Sequence, residues 1–423
     1  MSYPDSVRYL YALGNELKAG AKFGLERMQA LLAGLHHPER HQRFVHVAGT
    51  NGKGSTCAMI ASALKQSGLR TGLYISPHLV DPTERIQIDG YPINPDDFAD
   101  AFQEVHRVAE QLIDEGKIDA HPSYFETVTA MALLVFRDRA EITVLEVGLG
   151  GRLDATNVVT PELCVITPVH YDHESFLGNT LPLIAAEKAG ILKPGVPLVM
   201  GIQEPAAEAV IQARAAELGC PVKRAEDVAV SDIAADACGS RFVVDGEEYL
   251  CPLPGRHQID NALAAILACR ELGLAPGNIR EGIAQTRWPG RLEFVRRRPD
   301  FVLDGAHNPS GARALAKYIR EFCHDRPVWL VYGTMRDKAV EEVTTLLFPL
   351  ADRLILTAPN FPRALRPEAL LQATDHPNVS IAPTVADAIG VACEAPTDAL
   401  VFFSGSLFLV GEARGLLGGE PGR

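Results

Sequence analysis

Nine residues, Ala48-Gly49-Thr50-Asn51-Gly52-Lys53-Gly54-Ser55-Thr56, have the make-up of a phosphate site. The backbone N–H groups of a glycine turn at a helix N-terminus attract an anion, and the Lys53 ammonium adds a full positive charge. Glycine lets the backbone approach a phosphate with no Cβ in the way. Ser55 or Thr56 could offer a hydroxyl to a phosphate-bound magnesium. The stretch is not a strict P-loop. Val47 stands where the first glycine belongs, and Gly54 where Ser or Thr should follow the lysine. Other residues suit the same chemistry. Glu146 closes the apolar run Ile142-Thr143-Val144-Leu145, where a carboxylate must be paired, protonated or metal-bound. It stands where a Walker-B acid is expected. Ser76 and His173 follow apolar runs, and ligands collect just past strand ends in open α/β sheets. Lys188 has small apolar neighbours, and burial there would favour the neutral amine, which reacts with carbon dioxide to form a carbamate.

These side chains need a layered α/β frame. Arg43-Phe44-Val45-His46-Val47 reads as a short buried strand, and 57–64 has helical spacing. Further strands are expected at 71–75, 142–147 and 163–167. Helical stretches cover 3–35, broken at Gly24, and 127–136, while 95–117 is expected to be a charged amphipathic helix with a solvated outer face. Residues 197–255 alternate short strands with a helix, and 241–250 reads as a hairpin on the Asp245-Gly246 turn. An apolar helix follows with Asn261 in its first turn. Trp288-Pro289-Gly290-Arg291-Leu292-Glu293 punctuates the chain like a hinge. Beyond it, strands at 301–303, 328–331, 354–356, 379–381 and 400–403 alternate with helices. They end in polar tips: Asp304-Gly305-Ala306-His307-Asn308-Pro309, Gly333-Thr334-Met335-Arg336-Asp337-Lys338, Pro362-Arg363-Ala364 and Ser404-Gly405-Ser406. Those tips should face the nucleotide of the first unit. The expected architecture is α/β: a P-loop-type, doubly wound N-terminal ATPase domain over 1–293 and a smaller Rossmann-like α/β domain over 294–423.

Composition narrows the function. A chain of 423 residues exceeds one ordinary core. Hydrophobic content of 47% with 22% charged residues is globular composition. No apolar run reaches membrane-spanning length, and the N-terminus lacks the pattern of a signal peptide, so a cytoplasmic protein without a membrane partner is expected. The eight cysteines form no Cys-x-x-Cys pair, which signals neither a zinc site nor a redox motif. A net charge of −13 argues against nucleic acid, and it means that anionic substrates need a local basic pocket plus magnesium. Gly148-Leu149-Gly150-Gly151-Arg152-Leu153 fails as a dinucleotide fingerprint because Leu153 replaces the third glycine.

The loop at 49–56 resembles that of the ATP-dependent Mur-type ligases, and most of all that of folylpolyglutamate synthase and its bifunctional relative, dihydrofolate synthase. Further motifs from Gly24 to Leu409 follow that family's order. The resemblance implies that Gly49, Thr50, Asn51, Gly52, Lys53, Gly54, Ser55 and Thr56, with Asn261, Arg291 and Asp304, bind ATP. It implies two magnesium ions held by Ser76, Glu146 and His173, with His170 a nearby decoy. Lys188 is implied to be carbamylated beside the metals, and His307 to lie near the glutamate. The pterin side is implied at Phe23, Gly24 and Leu25 and at Pro122, Ser123, Tyr124 and Phe125, where Ser123 replaces the family's usual Thr, with Leu153, Asp154, Ala155 and Ser406 as further substrate contacts. The catalytic set is Lys53, Lys188 and His307.

The implied reaction is ATP-dependent ligation of L-glutamate to dihydropteroate, to the γ-carboxylate of a reduced folate, or to both, by a monomer. Two alternatives differ in what they require. A cell-wall Mur ligase carries a substantial domain ahead of its nucleotide loop, where 48 residues precede Gly49 here. A P-loop switch protein has no need of the second unit's polar strand tips.

Overall fold

Arg43–Ala48, the strand ahead of the glycine turn, lies inside an eight-stranded sheet. The computed structural model describes residues 1–13, 24–336, 338–372 and 374–418. In chain order the strands of this sheet are β1 (Arg43–Ala48), β2 (Thr71–Tyr74), β3 (Ile86–Ile88), β4 (Tyr91–Pro92), β5 (Ile142–Glu146), β6 (Leu163–Ile166), β7 (Leu198–Met200) and β8 (Val222–Arg224). Their spatial order is β4-β3-β2-β5-β1-β6-β7-β8. The run from β2 to β8 is parallel, while β3 and β4 form an antiparallel edge.

Parallel strands are covered on both faces, and β1 shows how. Val45 and Val47 point into a core shared with the helices Lys53–Gln66, His257–Glu271 and Pro276–Ala284. Phe44 points the other way, into a core built by Tyr3–Leu13, Glu26–Gly34, Pro95–Asp114 and Tyr124–Arg139. The Pro95–Asp114 helix is amphipathic, as expected. Its stripe of Phe98, Phe102, Val105, Val108 and Leu112 is buried, with the charges on the opposite side. The His257–Glu271 helix begins early enough that Asn261 falls in its second turn, one turn later than expected.

A three-stranded sheet, β11-β10-β9, lies against that helix, with β9 Val230–Asp236, β10 Gly239–Val244 and β11 Glu247–Cys251. Asp245 (φ 51°) and Gly246 (φ 81°) make the β10–β11 turn, both in the left-handed region that a two-residue hairpin demands.

After the hinge comes a six-stranded sheet of order β12-β13-β17-β14-β15-β16. Its strands are β12 (Glu293–Arg296), β13 (Asp300–Leu303), β14 (Val328–Tyr332), β15 (Arg353–Leu356), β16 (Val379–Ile381) and β17 (Leu400–Ser404). All run parallel except β12. Successive side chains feed two cores: Val302, Leu330, Leu354 and Phe402 one, Phe301, Val331, Ile355 and Phe403 the other. Six of the eight cysteines are buried. Among the described residues no helix is long and apolar enough to cross a membrane.

Candidate active site

The glycine turn is shaped by its neighbours. Gly49 (φ 148°) and Gly52 (φ 83°) both use the left-handed half of backbone space. A Cβ on Gly52 would lie 2.1 Å from Asn261 Oδ1, so the Asn261 amide rests against the loop itself. Thr50 and Asn51 donate their N–H groups to the Pro168 carbonyl at 3.0 and 3.3 Å, which ties the loop to the tip of β6. Lys53 opens the helix Lys53–Gln66, and its Nζ donates to the carbonyls of Gly49 and Thr50, both at 3.2 Å. The ammonium thus folds back over the turn, beside the N–H groups that a helix start leaves without intrahelical partners.

Glu146 stands at the C-terminal end of β5 and is 5% exposed. Its Oε2 accepts the Ser76 N–H at 3.1 Å. Burial pushes its carboxyl up, against the pull of Lys53 and of that N–H group. Among the described residues neither the buried Ser76 hydroxyl nor the buried Thr56 hydroxyl has a hydrogen-bond partner. A buried orphan hydroxyl costs about 1–3 kcal/mol, and hydroxyl and carboxylate oxygens are what a hard divalent cation takes. These donors fit magnesium. His173 caps the short helix Glu174–Leu177 in a left-handed conformation (φ 54°), and burial lowers its imidazole to about 4, leaving a neutral ring with a lone pair to give.

Lys188 lies on the helix Leu181–Ala189 and is 4% exposed. It donates to the Gly49 carbonyl at 2.8 Å. Burial first, then the Lys53 charge, bring its amine down to about 7.

The second sheet meets this loop at its strand tips. The Asn308 amide donates to Asn51 Oδ1 at 3.0 Å and to Asp172 at 3.1 Å. Lys338 Nζ lies 2.7 Å from Asp172, and His307 Nε2 lies 3.4 Å from it. Burial alone would raise the Asp172 carboxyl, yet His307 and Lys338 hold it well below the usual carboxylate range. Asp304 braces the hinge, accepting from Leu292 N and Ala306 N, and burial pushes its carboxyl up. Arg291 Nη1 donates to the Gly290 carbonyl, and the Asp304 and Glu146 charges act on its guanidinium.

The expected pterin-side residues form a separate group. Arg27 pairs with Glu126 at 3.2 Å, joining the turn at Gly24 and Leu25 to the Ser123-Tyr124-Phe125-Glu126 helix start. Ser123 and Glu126 form a capping box there. The Tyr124 ring is stacked with that of Tyr11 (5.8 Å, 3°), under the Arg85 guanidinium at 5.1 Å. Phe125 packs on Gly148, and the Pro122 carbonyl accepts from Thr127. Asp154 spends both oxygens on its own loop, at Leu149 N and at Thr156, beside half-buried Leu153 and buried Ala155. Ser406 caps the helix Leu407–Leu416. Phe23 lies outside the described residues.

Sequence reasoning passed over Asp172 and Lys338 as members of the centre. The Asp172-His173 pair just past β6 was the signal available for the first. For the second there was only its place after β14.

A doubly wound sheet with a phosphate turn, faced by the strand tips of a second parallel sheet, defines an ATP-dependent ligase of the Mur type. Residues 47–269 match the Mur ligase middle domain, and 290–407 the Mur ligase glutamate ligase domain. The dihydrofolate synthase/folylpolyglutamate synthase of Bacillus subtilis is 35% identical, over 98% of each chain. The folylpolyglutamate synthase of Lacticaseibacillus casei is 35% identical over 99% of this chain and 100% of its own. Mycobacterium tuberculosis folylpolyglutamate synthase, solved with ADP and AMPPCP, superposes with a TM-score of 0.91 at 33% identity, over 98% of this chain and 99% of the other. E. coli FolC in complex with DHPP and ADP superposes with a TM-score of 0.86 at 30% identity, over 98% and 97%. The chain belongs to the folylpolyglutamate synthase/dihydrofolate synthase family.

Proposed function

We propose that this protein uses ATP to join L-glutamate to dihydropteroate and to the γ-carboxylate of a reduced folate. The observation that carries the reading is the meeting of two sets of groups. Lys53, Ser76 and Glu146 gather at the phosphate turn, and His307, Asn308 and Lys338 reach it from the second sheet through Asp172 and Asn51.

The acceptor carboxylate attacks the γ-phosphorus of ATP, the bond to the β–γ bridging oxygen breaks, and ADP leaves an acyl phosphate behind, with Lys53 neutralising charge on the group in transit. The glutamate amine then attacks the acyl phosphate, releasing phosphate and leaving an amide. His307 stands on the side where glutamate would enter, fixed by Gly305 O and Asp172. Asn261, Arg291 and Asp304 serve the nucleotide. The acceptor's pterin lies among Gly24, Leu25, Pro122, Ser123, Tyr124 and Phe125, with Leu153, Asp154, Ala155 and Ser406 as further contacts to the substrate. Two magnesium ions would be held by Ser76, Glu146 and His173, where they supply positive charge to the phosphates. Lys188, neutral enough to take up carbon dioxide, is carbamylated in the working enzyme. Acyl phosphates hydrolyse, so the domains 1–293 and 294–423 close on the site to exclude water. The enzyme acts as a cytoplasmic monomer.

Phosphate release tests this reading. Purified protein with ATP and magnesium should release phosphate only when L-glutamate and a pteroate-type acceptor are both present. Steady release with ATP alone, unchanged by either addition, would instead describe an ATP-driven switch.

A further inference from the structure

His106, Glu110 and His121 turn one ligand atom each toward a common point, all within 4.8 Å of one another. Among the described residues this is the single such trio of His, Cys, Asp and Glu side chains. His106 and Glu110 are four apart on the Pro95–Asp114 helix, hence on one face of it. His121 comes from the loop that leads into the Tyr124–Arg139 helix.

The two imidazoles are already set for a shared ligand. His106 Nδ1 lies 3.1 Å from His121 Nε2, and Glu110 Oε1 lies 3.9 Å from His106 Nδ1. His121 Nδ1 is 2.9 Å from the Pro122 carbonyl, an acceptor only, so Nδ1 carries the proton and Nε2 accepts from His106 Nδ1–H; an ion between the two nitrogens replaces that hydrogen bond once the His106 proton moves to Nε2 of its own ring. A backbone carbonyl behind the ring is the arrangement that orients metal-binding histidines. Packing holds the rings as well. Phe102 is stacked on His106 (5.5 Å, 7°), and the Tyr9 ring sits 4.7 Å from His106 and 5.6 Å from His121.

We propose that His106, Glu110 and His121 bind one divalent transition-metal ion, with zinc as the reference ion, at a site separate from the ATP centre. Two imidazole nitrogens and one carboxylate suit zinc, cobalt or nickel, whereas magnesium and calcium select all-oxygen shells. Tetrahedral zinc with bonds of about 2.0–2.1 Å spaces its ligand atoms roughly 3.3 Å apart. The histidine pair is near that spacing now, and the half-exposed Glu110 closes the rest by a side-chain rotation. The fourth position is left to water. The ion would pin His121, and with it Pro122 and Ser123, to the outer helix; that consequence for the acceptor pocket rests on the function proposed above, while the site itself does not.

Calorimetric titration of the full chain with zinc chloride, in excess magnesium, tests the site without any turnover. Wild type should bind one more equivalent of zinc than His121→Ala. Glu110→Gln, a surface change that leaves the fold alone, should weaken that extra equivalent by at least about tenfold, the loss that even an outer-shell partner causes. Cobalt added to wild type should give the visible absorption of a tetrahedral site, absent in His121→Ala. Equal stoichiometry and affinity in all three proteins would overturn the proposal, and the His106–His121 contact would then be a hydrogen bond alone.

Discussion

Lys53→Met is expected to lower turnover by about 10²–10³-fold or more, the cost of removing one preorganised charge stabiliser from a transition state. The protein should stay folded. Among the described residues Lys53 Nζ bonds only the Gly49 and Thr50 carbonyls, inside the turn that carries it. In the proposed reaction its ammonium neutralises the γ-phosphoryl group in transit, and it is the first charge opposing the burial of Glu146. Methionine keeps the stem and removes the charge, so the loss should fall on kcat more than on the KM for the acceptor. Steady-state rates with each substrate varied in turn, beside a thermal melt, separate these effects. Turnover within a few-fold of wild type would remove Lys53 from the phosphoryl-transfer step.

The second large effect belongs to Lys188. A lysine with 4% exposure that touches one carbonyl gains little as a cation, and burial beside Lys53 brings its amine to about 7. At neutral pH much of it is then the free amine, the form that takes up carbon dioxide. The carbamate would place a negative oxygen pair beside Lys53 and near the phosphate turn. Lys188→Ala should lose most turnover while retaining ATP binding, and short-chain carboxylic acids should restore part of it by supplying the missing oxygens. Truncating a buried lysine also leaves a void, so the melt must be followed alongside. Wild-type turnover in the variant with no acid added would sink the carbamate.

How much of this could be read in the residues depends on how local the cause is. The turn at 49–56 announces itself because strand, glycines, lysine and helix are contiguous. The hairpin at Asp245-Gly246 likewise needs only its own two residues. The parallel strands are legible because burial on both faces leaves unbroken apolar runs. The edge strands β3, β4 and β12 were not foreseen. β3 and β4 are only three and two residues long and half-covered, while β12 carries Glu293 and Arg296 and runs straight on into Arg297 and Arg298. Longer-range pairing was invisible for a different reason. Asp172 meets Lys338 across 166 residues, and Arg414 grips the hinge acid Glu293 across 121. Nothing in either segment names its partner, because the sheets set the distance. The Pro95–Asp114 helix was legible from its period, because Phe98, Phe102 and Val105 recur on one face and its charges lie on the other.

Mass spectrometry of the products addresses the central claim most directly. Purified protein, ATP, magnesium and L-glutamate would be incubated with dihydropteroate in one tube and with tetrahydrofolate in another. The account predicts a mass gain of one glutamate residue on the acceptor in both. A gain in one tube would strike the other acceptor from it, and no gain in either, with ATP still bound, would contradict the assignment as a folate-type glutamate ligase.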